Sequence, residues 1–259
     1  MANALKYISY AGIGKSGPQL FECDDGKRYV VKFMSNPFQG DTRKSLVNEL
    51  ISNKLARYLN LPVPVGQVIY FSIDLIKQIP ELEAYNIQPG PHFGTIFHEN
   101  SVLPIEHERI KKCVNLSDMP GIIVFDHWVL NLDRADNLFN LIIVEGEEYN
   151  KLYMIDHDRS FYSRERDLLT LKNKEQLIEI LWGDIYRQFK PFIREMDTFL
   201  KYVKAIEDFP NHEIENIVYS MPEEWISNKG ELNAIYAFLI ERKLILKESI
   251  CLLYDKHWS

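Results

Sequence analysis

The sequence is poor in cysteine. Cys23, Cys113 and Cys251 are odd in number and widely spaced among 259 residues, which argues against a disulfide framework and against a zinc site. A reducing cytoplasm is therefore the expected compartment. No apolar run reaches transmembrane length, since charges break the longest ones. The N-terminus lacks a basic segment followed by a long apolar run, so no signal peptide is expected. There is no basic block, and the formal net charge is −7. The footprint of non-specific nucleic-acid binding is thus missing, and neither nucleic acid nor membrane is an expected partner. Repeats and low-complexity segments are absent. His92, His98, His107, His127 and His157 fall at no metal-ligand spacing, and no nucleophile–histidine–acid arrangement stands out.

What is present is a chain with 46% hydrophobic residues, enough for one large domain or two lobes. Residues 5–33 predict a β-hairpin. Tyr7–Tyr10 leads into a loop at 12–18, Gln19–Cys23 is a strand, Asp24–Gly26 a turn, and Tyr29–Phe33 a second strand. Gly12, Gly14 and Gly17 let backbone N–H groups approach a phosphate, with Ser16 as an extra donor. An ordinary flexible turn would carry the same residues. Lys32 lies in the apolar run Val30–Phe33, where a charge is costly unless paired. A lysine on the solvent face of an edge strand is the plain alternative. A helix follows, capped by Asp41 or Thr42, with Leu46, Leu50, Leu55 and Leu59 at helical spacing. Glu49 lies inside it. A strand lysine followed by a helix glutamate is the ion pair that holds a phosphate-binding lysine in kinases, although Glu49 could equally be solvated.

Pro62 and Pro64 end that helix. Val65–Ile73 predicts a strand, and residues 84–100 a strand-rich connector between lobes, where a hinge could meet an adenine. Gly121–Asn131 predicts a strongly apolar helix, with His127 as a satisfied core residue. Beyond about residue 173 the chain predicts helices. One is marked by Leu177, Ile178, Ile180 and Leu181. A longer one runs from Ile185 to Val203 with a break at Pro191, and the last spans Ala234–Leu253.

Two stretches carry the chemistry. Asn131-Leu132-Asp133-Arg134 leads to Asn140-Leu141-Ile142-Ile143, and Tyr153-Met154-Ile155-Asp156 ends a second strand-like run. If the runs pair across Glu145–Glu148, Asp133, Asp156 and Asn140 share one cleft. One carboxylate can then hold a hydroxyl while another and an amide oxygen hold Mg²⁺, which favours hard oxygen ligands. This is the minimum of a phosphoryl-transfer site. The expected fold is α+β and bilobal, with a β-rich N-lobe at about 1–100 and a helical C-lobe at about 101–259.

The ordered set of motifs resembles the HipA-like kinase family, and more distantly the phosphatidylinositol-kinase branch of the kinase fold. The resembling pieces are the loop at 12–17, Val31-Lys32, Asn48-Glu49 with Leu59–Pro64, Phe125–Arg134, Asn140–Ile142, Tyr153–His157 and Pro222–Trp225. The resemblance implies a single kinase domain over 1–259 that uses ATP and Mg²⁺. It implies Asp133 as catalytic aspartate, Asp156 as metal ligand, Lys32 as phosphate lysine with Glu49 as partner, and residues 12–17 as phosphate loop. It also implies a protein substrate and a regulatory or antitoxin partner. One position departs from the family pattern. The metal asparagine should follow Asp133 by five residues, where Leu138 stands. Asn140, just before a strand, is preferred and Asn137 is the fallback. Asp136 is a third carboxylate that could act as base, and His157 is expected to orient Asp156.

The reading that follows is a Ser/Thr protein kinase. A pseudokinase, acting as a nucleotide-binding or interaction module, and a small-molecule phosphotransferase are the alternatives.

Overall fold

The computed structural model describes residues 1–12, 17–36, 39–103, 105–161 and 178–259. The first part is a closed barrel. Its strands are β1 (Ala2–Tyr10), β2 (Gln19–Cys23), β3 (Arg28–Lys32), β6 (Gly66–Phe71) and β7 (Gly90–Ile96), in the order β1-β2-β3-β7-β6. A short ribbon, β4 (Ser35–Asn36) with β5 (Gly40–Asp41), follows β3. The expected hairpin is present, with Gln19 opposite Val31 and Glu22 opposite Arg28. Closure comes from β1 running parallel to β6, with Ala2 opposite Ile69. Phe21, Tyr29, Phe33, Ile69 and Phe71 fill the interior, where Phe21 and Phe71 meet edge-on at 4.8 Å.

Because side chains alternate along a strand, Tyr29 and Val31 point into the barrel while Val30 and Lys32 point out of it. β3 lies between β2 and β7, so Lys32 is not on an edge strand. Within the stretch 84–100, expected to be a strand-rich connector, Gly90–Ile96 form β7, which pairs with β3 and β6 and so belongs to the barrel. Its Gly-Pro-rich sequence hides a barrel strand, because Gly94 fits where a Cβ would come within 2.6 Å of Ile69.

Helix α1 (Arg43–Tyr58) packs Leu46, Leu50 and Leu55 into the main core. Thr42 stands at its N-cap, but its hydroxyl donates to the Phe33 carbonyl, so the expected cap bond is not made. Asp41 instead accepts from the Arg43 N–H at 3.0 Å. At the other end Asn60 takes a φ of +56°, and the Leu61 N–H returns to the Ala56 carbonyl at 2.9 Å. The chain is thereby stopped before Pro62.

Two short helices follow β6, α2 (Ile73–Lys77) and α3 (Pro80–Ala84). After β7 come β8 (Ser101–Val102), α4 (His107–Ile110), α5 (Met119–Val129), β9 (Leu141–Glu145) and β10 (Asn150–Met154). β9 and β10 form the expected antiparallel hairpin, and β8 adds to β9. Every residue of α5 is buried. Around it pack α7 (Met196–Glu207), α9 (Lys229–His257) and α6 (Asp184–Phe189), whose Tyr186 lies beside His127, while α8 (Asn211–Tyr219) packs against α9 and α1. Arg242 of α9 donates to the carbonyls of His127 and Trp128, satisfying the end of α5. Pro191 does break the helical run, as a 3₁₀ turn at Lys190–Phe192. The helix expected around Leu177–Leu181 is not found at residues 178–183, which are extended or irregular, and residues to 177 lie outside the described part. Their backbone instead serves α5: the Leu181 N–H donates to His127 Nε2 at 3.0 Å.

Candidate functional site

A cleft of about 440 Å³ lies between the barrel and the β9–β10 hairpin. One part is apolar, lined by Ala11, Pro18, Val30, Phe97, Leu103, Ile142 and Met154. The other is polar, lined by Lys32, Glu49, Asp133, Asn137, Asn140, Asp156 and Asp158. The segment after β7, through Phe97, His98 and Ser101, borders the apolar part, where the hinge was expected. Gly12 lines the cleft as well. Gly17 has a φ of +57°, which a glycine takes without penalty. Gly14 and Ser16 lie outside the described residues.

Lys32 donates to Glu49 Oε1 and to Asp156 Oδ1, the latter at 2.8 Å. Burial alone would pull its amine down, but the charges of Asp156 and Glu49 outweigh that and hold it above the usual lysine range. Burial would likewise raise the carboxyl of Glu49. Lys32 and the contact with His157 win, and the group stays well below the carboxylate range. The ion pair expected from a strand lysine and a helix glutamate is therefore made.

Asp133 follows α5, which ends with Leu130 at a φ of +50° and turns the chain outward. Asp133 Oδ2 accepts from Asn137 Nδ2 at 2.9 Å and from Asn140 Nδ2 at 2.7 Å. Both asparagines thus reach Asp133, and they differ in what else they do. Asn137 Oδ1 accepts from the Phe139 N–H at 3.1 Å, capping the 3₁₀ turn Leu138–Asn140. Asn140 leads directly into β9.

Two expectations are corrected. Asp136 is exposed, accepts from the Asp184 N–H at 3.2 Å and does not line the cleft, because the loop turns it toward the start of α6. His157 does not orient Asp156. Its N–H donates to Glu49 Oε2 at 3.0 Å and its buried ring lies 3.6 Å from the same oxygen. Asp156 sits at a φ of +59°, and that turn sends the next side chain toward α1 instead.

Some residues of the site carry contacts that spacing did not reveal. Arg134 is fully buried, pairs with Asp126 of α5 at 2.9 Å, and donates from Nη1 to the carbonyls of Asn140 and Ile155. It thereby ties together the backbone before β9 and after β10. Tyr186 of α6 also donates to Asp126, at 2.8 Å. An aspartate inside an apolar helix was the signal for such a partner. Asp158 lines the polar part, where burial and then the charge of Asp156 push its carboxyl up to about 7.

The barrel with one long helix, the helical part beneath it, and the lysine between a helix glutamate and a hairpin aspartate define a kinase-like fold. A sequence model described as HipA-like kinase matches residues 8–248, and the chain belongs to that family. Solved structures agree on the fold. A proinflammatory kinase, CtkA, of Helicobacter pylori is similar with a TM-score of 0.62 at 12% identity, over 97% of this chain and 96% of that one. A hydra Fam20 solved with sugar has a TM-score of 0.54 at 14% identity, over 99% and 87%. A Golgi casein kinase with Mn/ADP bound has a TM-score of 0.53 at 12% identity, over 99% and 72%. No curated protein matches the sequence. The chain is accordingly a kinase of the phosphotransferase class. Among the described residues, no helix is long and apolar enough to cross a membrane.

Proposed function

We propose that this kinase transfers the γ-phosphoryl group of ATP, with Mg²⁺, to a Ser or Thr hydroxyl of a protein. The observation that supports it is the single polar cluster at one end of the cleft. There Lys32 is held by Glu49 and Asp156, and Asp133 is held by Asn137 and Asn140. The apolar end suits a nucleobase and the polar end its phosphates. The N-lobe would span about residues 1–100 and the C-lobe about 101–259.

In this reading Lys32, kept protonated by its two carboxylates, binds the phosphates, and Gly12, which lines the cleft, belongs to the phosphate loop. The donor set fits a hard divalent ion. Lys32 occupies Asp156 Oδ1 and leaves Oδ2, while the bond from Asn140 Nδ2 to Asp133 leaves Asn140 Oδ1 as the amide's acceptor. Asn137 fits less well, since its oxygen already accepts from Phe139. A bound Mg²⁺ would supply neutralisation of phosphate charge. Asp133 would accept the hydrogen bond of the attacking hydroxyl, orient it, and take its proton late in transfer. Family membership supports a protein acceptor and a regulatory or antitoxin partner. The free thiols of Cys23, Cys113 and Cys251 suit the cytoplasm.

The test is phosphate incorporation from labelled ATP by the wild type and by Asp133→Asn. The expected result is incorporation by the wild type and a loss of about 10²–10⁴-fold in the variant, with melting temperatures alike. Nucleotide binding without incorporation would make the chain a pseudokinase. Transfer to small hydroxylated compounds alone would make it a small-molecule phosphotransferase. Absence of nucleotide binding would overturn the site.

A further inference from the structure

Asn48 precedes Glu49 on α1 and is fully buried. Its Nδ2 donates to two carbonyls of the segment after β10, Asp158 at 2.8 Å and Ser160 at 2.9 Å. One residue further along α1, Glu49 accepts from the His157 N–H. Lys32 holds the Asp156 carboxylate. Positions 156, 157, 158 and 160 are thus each tied to β3 or α1.

The segment needs such ties. Asp156 lies in the left-handed region, which an aspartate visits only as a single residue and at some cost, so contacts around it help to hold it there. Lys32 fixes the side chain of Asp156 but not its backbone. The Glu49 contact fixes the peptide that follows. The Asp158 and Ser160 carbonyls then set where the segment goes next, and Ser160 is itself fully buried. Without the Asn48 amide these carbonyls would lose a donor, and the segment could relax to ordinary backbone angles. A planar amide with two N–H groups reaches both carbonyls; aspartate has no N–H, and leucine fills the space without one.

We propose that Asn48 is a positioning residue for Asp156, holding the 156–160 segment so that the Asp156 carboxylate stays in the cleft. The inference rests on reading Asp156 as the metal ligand. Asn48 does not line the cleft; it acts through the carbonyls of Asp158 and Ser160.

The test uses the full chain as wild type, Asn48→Leu, Asn48→Ala and Asp156→Asn. ADP binding is measured by calorimetry with chelator and then with Mg²⁺, alongside thermal melts. In both Asn48 variants the metal-free affinity should stay within about twofold, and the gain on adding Mg²⁺ should shrink by about tenfold or more, the scale of two lost hydrogen bonds. A general structural defect would lower both affinities together, and that result would overturn the proposal. An undiminished Mg²⁺ gain in a folded Asn48 variant would also overturn it. So would failure of both variants to fold, since Asn48 would then hold the fold rather than the segment. If the wild type shows no Mg²⁺ gain, or Asp156→Asn keeps it, the metal reading itself fails. If only the Asn48 variants keep it, the positioning role alone fails.

Discussion

Asn140 donates to Asp133 at 2.7 Å across a seven-residue separation, so the side chain read as metal ligand also braces the side chain read as catalytic base. Asn137 donates to the same oxygen but has its own acceptor engaged by Phe139. Asn140→Ala should therefore lower kcat/KM by about 100-fold and raise the Mg²⁺ requirement, whereas Asn137→Ala should lower it by less than about tenfold. Rates measured across a Mg²⁺ titration check this. The reverse order would assign the ligand to Asn137, and equal losses would remove the distinction between the two.

The buried pair of Arg134 and Asp126 predicts a large stability effect. Arg134→Met leaves the Asp126 carboxylate with Tyr186 as its one side-chain donor among the described residues, and should destabilise the fold by about 3–5 kcal/mol. Lysine should not restore it, because a point charge cannot serve the carboxylate and two carbonyls at once. Urea unfolding of both variants provides the measurement.

Lys32→Met removes the partner of a buried glutamate. The side chain of Glu49 is only 3% exposed, so the single variant should lose both activity and roughly 3 kcal/mol of stability. Lys32→Met combined with Glu49→Gln should regain most of the stability and none of the turnover. Thermal melts beside transfer assays separate the two effects. Stability unchanged in the single variant would show that Glu49 finds another partner.

Two of the three buried histidines, His92 and His127, carry a prediction for stability in acid. His92 Nδ1 accepts from the Met34 N–H while Nε2 meets the Gln88 carbonyl, so the ring must be neutral. His127 accepts from Leu181 and meets the Ile123 carbonyl in the same way. Burial lowers each to about 4, against an ordinary value of 6.5. A depressed histidine binds its proton more readily in the unfolded chain. Stability should thus be full above about pH 6.5 and fall as pH drops toward 4, by up to about 3 kcal/mol for each histidine. His92→Gln should flatten the slope of ΔG against pH in denaturant titrations between those limits. An unaltered slope would remove His92 from the account.

The sequence by itself determined the local elements that carry the site. Alternation placed Lys32 on a strand, helical spacing placed Glu49 on the next helix, and two apolar runs around Glu145–Glu148 declared the hairpin whose ends bear Asn140 and Asp156. These follow from short-range periodicity, which a chain states directly. Tertiary structure alone decided that the barrel closes through a parallel β1–β6 pairing, and that the strand within the stretch read as a connector pairs into the barrel as β7. It also turned Asp136 away, set the His157 backbone on Glu49 and Arg134 on two distant carbonyls, and engaged the Asn137 oxygen with the Phe139 N–H. Each of those depends on which backbone groups arrive beside a given side chain from far along the chain, and residue type and spacing do not encode that.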